Sequence, residues 1–176
     1  PEAAAGAAPI PNEGDKVLSV PIKWCMCRDT ALHDSAPNAK QAYRKVEDDD
    51  DLVSLMLMRE MSKGSSTTHV AKAVAKNGKE GTDYSAWAPY LRVLPRTVPL
   101  TVFYSKAELK ALQDPELARR ATARRTELKR RYRSLAPVVR LLFKDVKASQ
   151  RRTRFADYHW AKSVVGSRAL SMYGAK

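Results

Sequence analysis

The stretch from Asp114 to Leu135, DPELARRATARRTELKRRYRSL, suits only one kind of backbone. Leu117, Ala121, Leu128, Tyr132 and Leu135 recur at spacings of three, four and seven, which puts them along one edge of an α-helix. The arginine pairs 119/120, 124/125 and 130/131 are expected to splay outward from that edge. Asp114 is placed to cap the helix, with Pro115 at its first position, where a missing N–H costs nothing. Pro137 is expected to kink or end the helix before VVRLLF. A chain built around such a segment is mostly helical.

Other helix signals agree. The run Glu47 to Asp51, EDDDD, precedes LVSLMLMREM, and carboxylates at the positive end of a helix dipole predict a helix from about Asp49 to Met61. The same acids could hold a divalent cation, but there is no Gly turn and no alternating ligand spacing, so capping is the reading adopted. Ser105-x-x-Glu108 is a capping box before a short helix. Trp87, Tyr90, Leu91 and Leu94 are interrupted by Pro89, Pro95 and Pro99, which predicts short helical turns and loops. Thr153 is read as the cap of a last helix.

One strand is expected, Val17 to Pro21, with Val17 and Ser19 alternating against Leu18 and Val20 and Pro21 closing the ladder. Residues 1–13 are Ala, Pro and Gly without periodicity and read as a tail or linker. Residues 63–83 are rich in Gly, Ser, Thr and Lys with little periodic hydrophobicity and read as an exposed, mobile insertion in which His69 has no partner motif.

The chain carries 32 basic and 19 acidic residues, a net +13, and the excess is concentrated. Glu116 to Arg154 holds fourteen Lys or Arg against three acids. Such a block attracts phosphate backbones or acidic protein surfaces, although a solvated helix face in a basic chain would look the same. Tyr132 and Phe143 alone interrupt its arginines, which argues against base stacking on single strands. No apolar run approaches a membrane span. Cys25 and Cys27, the only cysteines, would share one face of a strand, a geometry that suits neither a relaxed disulfide nor a zinc site. They read as small core residues of a protein from a reducing compartment. The chain opens on Pro1 rather than Met, so no targeting signal is read in either direction.

The segment FADYHWAKSVVGSRAL, residues 155–170, contains an anomaly. Ala161, Val164, Val165 and Met172 form an apolar stripe, and Arg168 occupies the i+7 position of that stripe. By periodicity alone the guanidinium should face the packed side. An arginine that snorkels or pairs with an acid at the stripe edge would explain it.

In order, VLSVP, DTA at Asp29 to Ala31, LVSLMLMREM, SAWAPYLRVLPRTVPLTVFYSKAELKALQ and FADYHWAKSVVGSRAL resemble the plant Rubisco large-subunit lysine methyltransferase family of SET-domain enzymes, which also includes the actin histidine methyltransferase. The resemblance covers about residues 14–173. It implies a fold that is mostly α with a small β element: a SET-like strand and loop at 14–47, then the helical SET insert at 48–176 with its insertion at 63–83. It also implies that Arg168, with Ser167 beside it, helps bind S-adenosyl-L-methionine, whose carboxylate a planar guanidinium can take in two parallel hydrogen bonds.

The departures are specific. The family's G-x-G strand has no counterpart in AAAGAAPIPNEGDK, and Met172 stands where relatives commonly carry an arginine. The family's Asn-His motif, catalytic tyrosine and substrate-binding domain correspond to sequence beyond Lys176. No catalytic residue is therefore expected in this chain, and Tyr90, Tyr158 and Tyr173 are assigned no such role. The resemblance implies a partial chain of a protein-lysine N-methyltransferase, with histidine as the alternative acceptor. Its partner would be a protein substrate, and its location the chloroplast, or otherwise the mitochondrion or cytoplasm. The competing expectation is a catalytically inactive SET-like subunit of a large assembly such as an organelle ribosome or transcription complex. In that setting the basic segment 116–154 would contact RNA or DNA. A free-standing helical nucleic-acid binder is the third.

Overall fold

A helix whose two ends carry charge and whose middle is Leu and Met can be buried on all sides only if other elements meet each charge. The chain builds its centre in this way. The computed structural model describes residues 19–34, 36–63, 85 and 87–168. Its helices are α1 (Arg28–Leu32), α2 (Pro37–Tyr43), α3 (Asp49–Ser62), α4 (Ala88–Val93), α5 (Lys106–Ala111), α6 (Pro115–Ser134), α7 (Ala136–Leu142) and α8 (Phe155–Arg168). Single 3₁₀ turns stand at Ile22–Trp24, Thr101–Phe103 and Ala148–Gln150. The expected insertion at 63–83, His69 included, lies outside the described residues apart from Lys63, which ends α3.

The expected helix starts hold. Asp48 caps α3 by accepting the N–H of Asp51 at 2.7 Å. Ser105 and Glu108 form the reciprocal capping box of α5, and Asp114 caps α6 by accepting from Leu117 N–H. α6 stops at Ser134, and Pro137 sits in the first turn of α7, where its missing N–H leaves no helical hydrogen bond unmade. The start of α8 differs from expectation. The helix begins at Phe155, and Asp157 reaches back to the Arg154 N–H at 2.9 Å. Thr153 instead offers its carbonyl to the Tyr132 hydroxyl.

No strand occurs among the described residues. Val17 and Leu18 of the expected strand lie outside the described residues; Ser19 to Pro21 are irregular and exposed, and a ladder needs a neighbouring extended backbone that the described residues do not provide. Residues 28–43, expected as loop, contain α1 and α2 instead. Cys27 is the N-cap of α1, its N–H bonded to Thr30 Oγ1 at 3.1 Å, and Cys25 closes the first 3₁₀ turn. Both thiols are free and only partly buried, not core residues, because they sit at helix ends rather than on a strand face. Pro37 opens α2, whose Ala39, Ala42 and Tyr43 are buried.

α3 is the central element, buried from Asp51 to Ser62 on nearly every side. α8 runs along it in the opposite direction: Ser62 accepts the Arg152 N–H near one end, while Tyr158 and Lys162 reach Asp51 near the other. α1 and α4 lie on α3, α2 packs on α7, and α6 packs on α8 and on the Thr101–Phe103 turn. Leu52, Leu55, Leu57 and Met58 meet Tyr43, Leu142, Phe143, Tyr158 and Val164 in one core.

Two polar clusters fasten α3 to its neighbours. At its first turn the buried Asp51 carboxylate accepts from Tyr158 Oη at 2.8 Å, Lys162 Nζ at 2.9 Å and Arg131 Nε. Burial opposes that charge, but the bonds from Lys162, Arg131 and Tyr158 outweigh it and hold the carboxyl below its ordinary range. At the other end Arg59, 2% exposed, grips Asp145 with Nη1 at 3.0 Å and Nη2 at 2.8 Å. It also donates to the Leu142 carbonyl and to Asp34. The Arg59 bond draws the Asp145 carboxyl down to about 2.

His159, 6% exposed, lies between Phe103 and Phe155 with ring centroids 4.0 and 5.3 Å away, and its Nε2 has no hydrogen-bond partner among the described residues. Burial, with Arg125 and Lys129 nearby, lowers its pKa to about 4.

Two predictions follow from these contacts. Asp51→Asn removes a buried charge facing three donors and should cost about 3 kcal/mol or more in urea unfolding. Arg131→Gln should cost about 1 kcal/mol or less, because that side chain is 46% exposed; equal losses would show that the cluster is not organised around Asp51. As pH falls from 6.5 towards 4, the unfolded chain binds a proton that folded His159 refuses. Stability present above pH 6.5 is thus lost through that window, by up to about 3 kcal/mol. His159→Phe should flatten this limb, leaving the carboxylate-linked loss at lower pH; an unchanged limb in the variant would assign it to other groups.

Candidate functional site

The last two turns of α8 answer the question posed by Arg168. Ala161, Val164 and Val165 are buried, as the stripe requires, but Gly166, Ser167 and Arg168 are exposed. Lys162 already lies level with the start of α3, bonded to Asp48 at 3.2 Å and to Asp51. Arg168 is six residues further on, about 9 Å along the axis, and so overhangs the helix against which the stripe packs. A Cβ at Gly166 would meet nothing within 4 Å. The stripe continues in sequence while its described covering element stops, so the guanidinium does not face a packed side.

The local arrangement is simple. Arg168 Nη1 donates to Ser167 Oγ at 3.1 Å, and that hydroxyl donates to the Val164 carbonyl at 3.1 Å. Among the described residues no acid pairs with Arg168. The other guanidinium donors can therefore take an anion, and a carboxylate is the planar group that matches them.

The helix is aimed by residues from two of the sequence motifs. Trp160 of the W-A segment donates its Nε1–H to the carbonyl of Pro95, the proline of L-P, at 2.9 Å. Leu94 is buried beside it in sequence, and Trp87 precedes α4, whose first turn carries Pro89. Tyr158 is buried and bonded to Asp51, which together with burial raises its pKa, so it is a structural phenol. Tyr90 is exposed, and Tyr173 and Met172 lie outside the described residues.

The basic segment divides in two. In its first part Arg119 and Arg120 share Glu116, and Arg124 pairs with Glu127. Arg125 does not splay outward: it turns inward to the carbonyls of Val102 and Tyr104, which the 3₁₀ turn leaves without intrahelical donors. Arg131 likewise turns to Asp51. In the second part Arg130, Arg133, Arg140, Lys144 and Lys147 have no ion-pair partner among the described residues.

Arg140, Lys144 and Arg151 converge on a cleft of about 380 Å³ lined also by Tyr132, Val139 and Phe143. Sequence reading missed this convergence. The i, i+4 spacing of Arg140 and Lys144 was available as a signal, but Arg151 arrives only because the chain folds back through Ala148–Gln150. No group of three or more His, Cys, Asp or Glu among the described residues could hold a metal ion, the EDDDD run included. No described helix is long and apolar enough to cross a membrane. Comparisons with protein-family models, with curated proteins and with solved structures gave no match.

Proposed function

We propose that this chain is the helical-insert portion of a SET-type, S-adenosylmethionine-dependent protein-lysine N-methyltransferase, and that Ser167 and Arg168 form one wall of its methyl-donor site. The observation that carries the reading is the overhanging end of α8. An arginine in register with a buried stripe stands free of the body and of any described acid, beside a serine that orients it. The Trp160–Pro95 bond supports it as well, since two motifs 65 residues apart in the chain combine to direct this helix.

The donor fits the residues present to this extent: its amino-acid end carries a carboxylate, and Arg168 keeps guanidinium donors available for one. When bound, S-adenosylmethionine supplies an electrophilic methyl on a sulfonium. Arg168 would bind and orient its carboxylate, and Ser167 would hold the guanidinium in place. Catalysis in such a site rests on positioning an uncharged amine in line with that methyl, so fixing the donor matters more than acid–base chemistry on this wall.

The protein in its full-length form should bind S-adenosylmethionine in a calorimetric titration. Arg168→Lys should weaken that binding about tenfold or more, since lysine keeps the charge and loses the two-point geometry. Absence of binding at millimolar donor would overturn the reading.

A second reading has its own observation. The unpaired cations from Arg130 to Lys147 suit a non-catalytic subunit that contacts RNA or DNA in a large assembly. It predicts nucleic-acid affinity that falls steeply with salt and no donor binding; weak, salt-independent affinity would count against it.

A further inference from the structure

The cleft between α6, α7 and the residues just after the Ala148–Gln150 turn is separate from the end of α8; the methyl-donor reading does not use it, while two of its cations, Arg140 and Lys144, belong to the basic run on which the nucleic-acid reading rests. Its floor is apolar, with Val139 and Phe143 at the bottom and Tyr132 half-buried at one side. Its rim is cationic. Arg140 projects from α7, and Lys144 follows four residues later, just beyond the helix end. Both are exposed, and neither has an acidic partner among the described residues. Arg151 completes the rim. Its Nε donates to the Val146 carbonyl at 2.8 Å, which fixes the guanidinium plane and leaves its terminal nitrogens to an incoming anion.

We infer that this cleft docks an acidic segment of a partner protein, seating one apolar side chain against the half-buried Tyr132 and Ala136, with Val139 behind them, while flanking carboxylates meet Arg140, Lys144 and Arg151. The complementarity has two parts. Three cations converge where the adjacent acid, Asp145, is already spent on Arg59 and Asn38. The apolar floor calls for a group that a bare phosphate backbone does not have. The cleft itself offers little to a nucleobase. Phe143 is 2% exposed, and the Tyr132 hydroxyl is committed to the Thr153 carbonyl while its ring lies against Phe155 and Tyr158. Among the described residues lining the cleft, no open aromatic face remains for stacking.

The inference does not rest on the methyl-transfer reading, and donor binding can fail without affecting it. The test uses the full chain and three fluorescein-labelled probes at about 150 mM salt. One is a short glutamate peptide with a central Phe, the second the same peptide with Ser for Phe, and the third a uridine oligomer of equal charge. The Phe peptide should bind, and the Ser peptide should bind about tenfold more weakly, as expected for loss of an anchor in a cleft. Arg140→Glu/Lys144→Glu alters only exposed side chains and should abolish binding of the Phe peptide while leaving the circular dichroism melt near that of the parent. Arg151→Gln should reduce it about fivefold or more. Equal binding of the Phe and Ser peptides would overturn the inference by removing the role of the floor. Retained binding in the double variant, or preference for the uridine oligomer over the Phe peptide, would overturn it too.

Discussion

The fold depends on an acid that cannot be left alone. Asp51 sits in the first turn of α3 with its side chain 1% exposed, and a carboxylate in that position is tolerable only while cations and a hydroxyl converge on it. The donors come from α6 and α8, which begin more than sixty residues later in the chain. Holding Asp51 in its charged form therefore specifies how α8 lies on α3 and where α6, packed on α8, brings Arg131. Arg59 does the same at the other end with reversed sign, reaching the α1–α2 connection and the residues after α7. Replacing either cluster by apolar residues need not destabilise the protein, whereas removing one member must, so the clusters specify arrangement more than they add net stability.

That geometry explains where unused charge is found. Acids close to α3 are consumed by the architecture, and so are Arg125, Arg131 and Lys162. Among the described residues, two groups of the cations left over differ in character. At the overhanging end of α8 a single guanidinium stands beside a serine with no apolar lining. On the far side of α6 and α7 three cations ring an apolar cleft. The first suits a small carboxylate-bearing ligand, and the second suits a protein segment that carries both acids and an apolar anchor. A lone arginine can orient a ligand but not enclose it, so the donor site, as proposed, needs surfaces that the described residues do not supply.

Local chemistry was legible at the starts of α3, α5 and α6, though not at those of α1 and α8. Asp48, Ser105, Glu108, Asp114 and Pro115 mark helix starts in sequence and do so in the structure, because a cap bonds to a backbone N–H only two or three residues away. Reading failed at Ser19–Pro21, the described part of the expected strand, and at Cys25 and Cys27, where alternation over five or six residues suggested a strand. Alternation cannot supply the partner backbone that makes a strand, and Cys27 with Thr30 closes a helix start instead. It failed too for Arg125 and Arg131, grouped by sequence with outward-facing neighbours although α6 turns both onto other elements.

Arg168 separates the two kinds of information. The sequence by itself determined that this arginine shares a helical stripe with Ala161, Val164 and Val165, since a 3.6-residue period is a property of the backbone alone. It determined the excess of cations between Glu116 and Arg154 in the same way. Only the tertiary structure decided that the cover over α8 ends after Val165, leaving Gly166 to Arg168 exposed. It alone decided which cations are neutralised by acids and which gather around the cleft. Coverage and convergence depend on where separate elements stop and meet in space, and no periodicity within one segment records that.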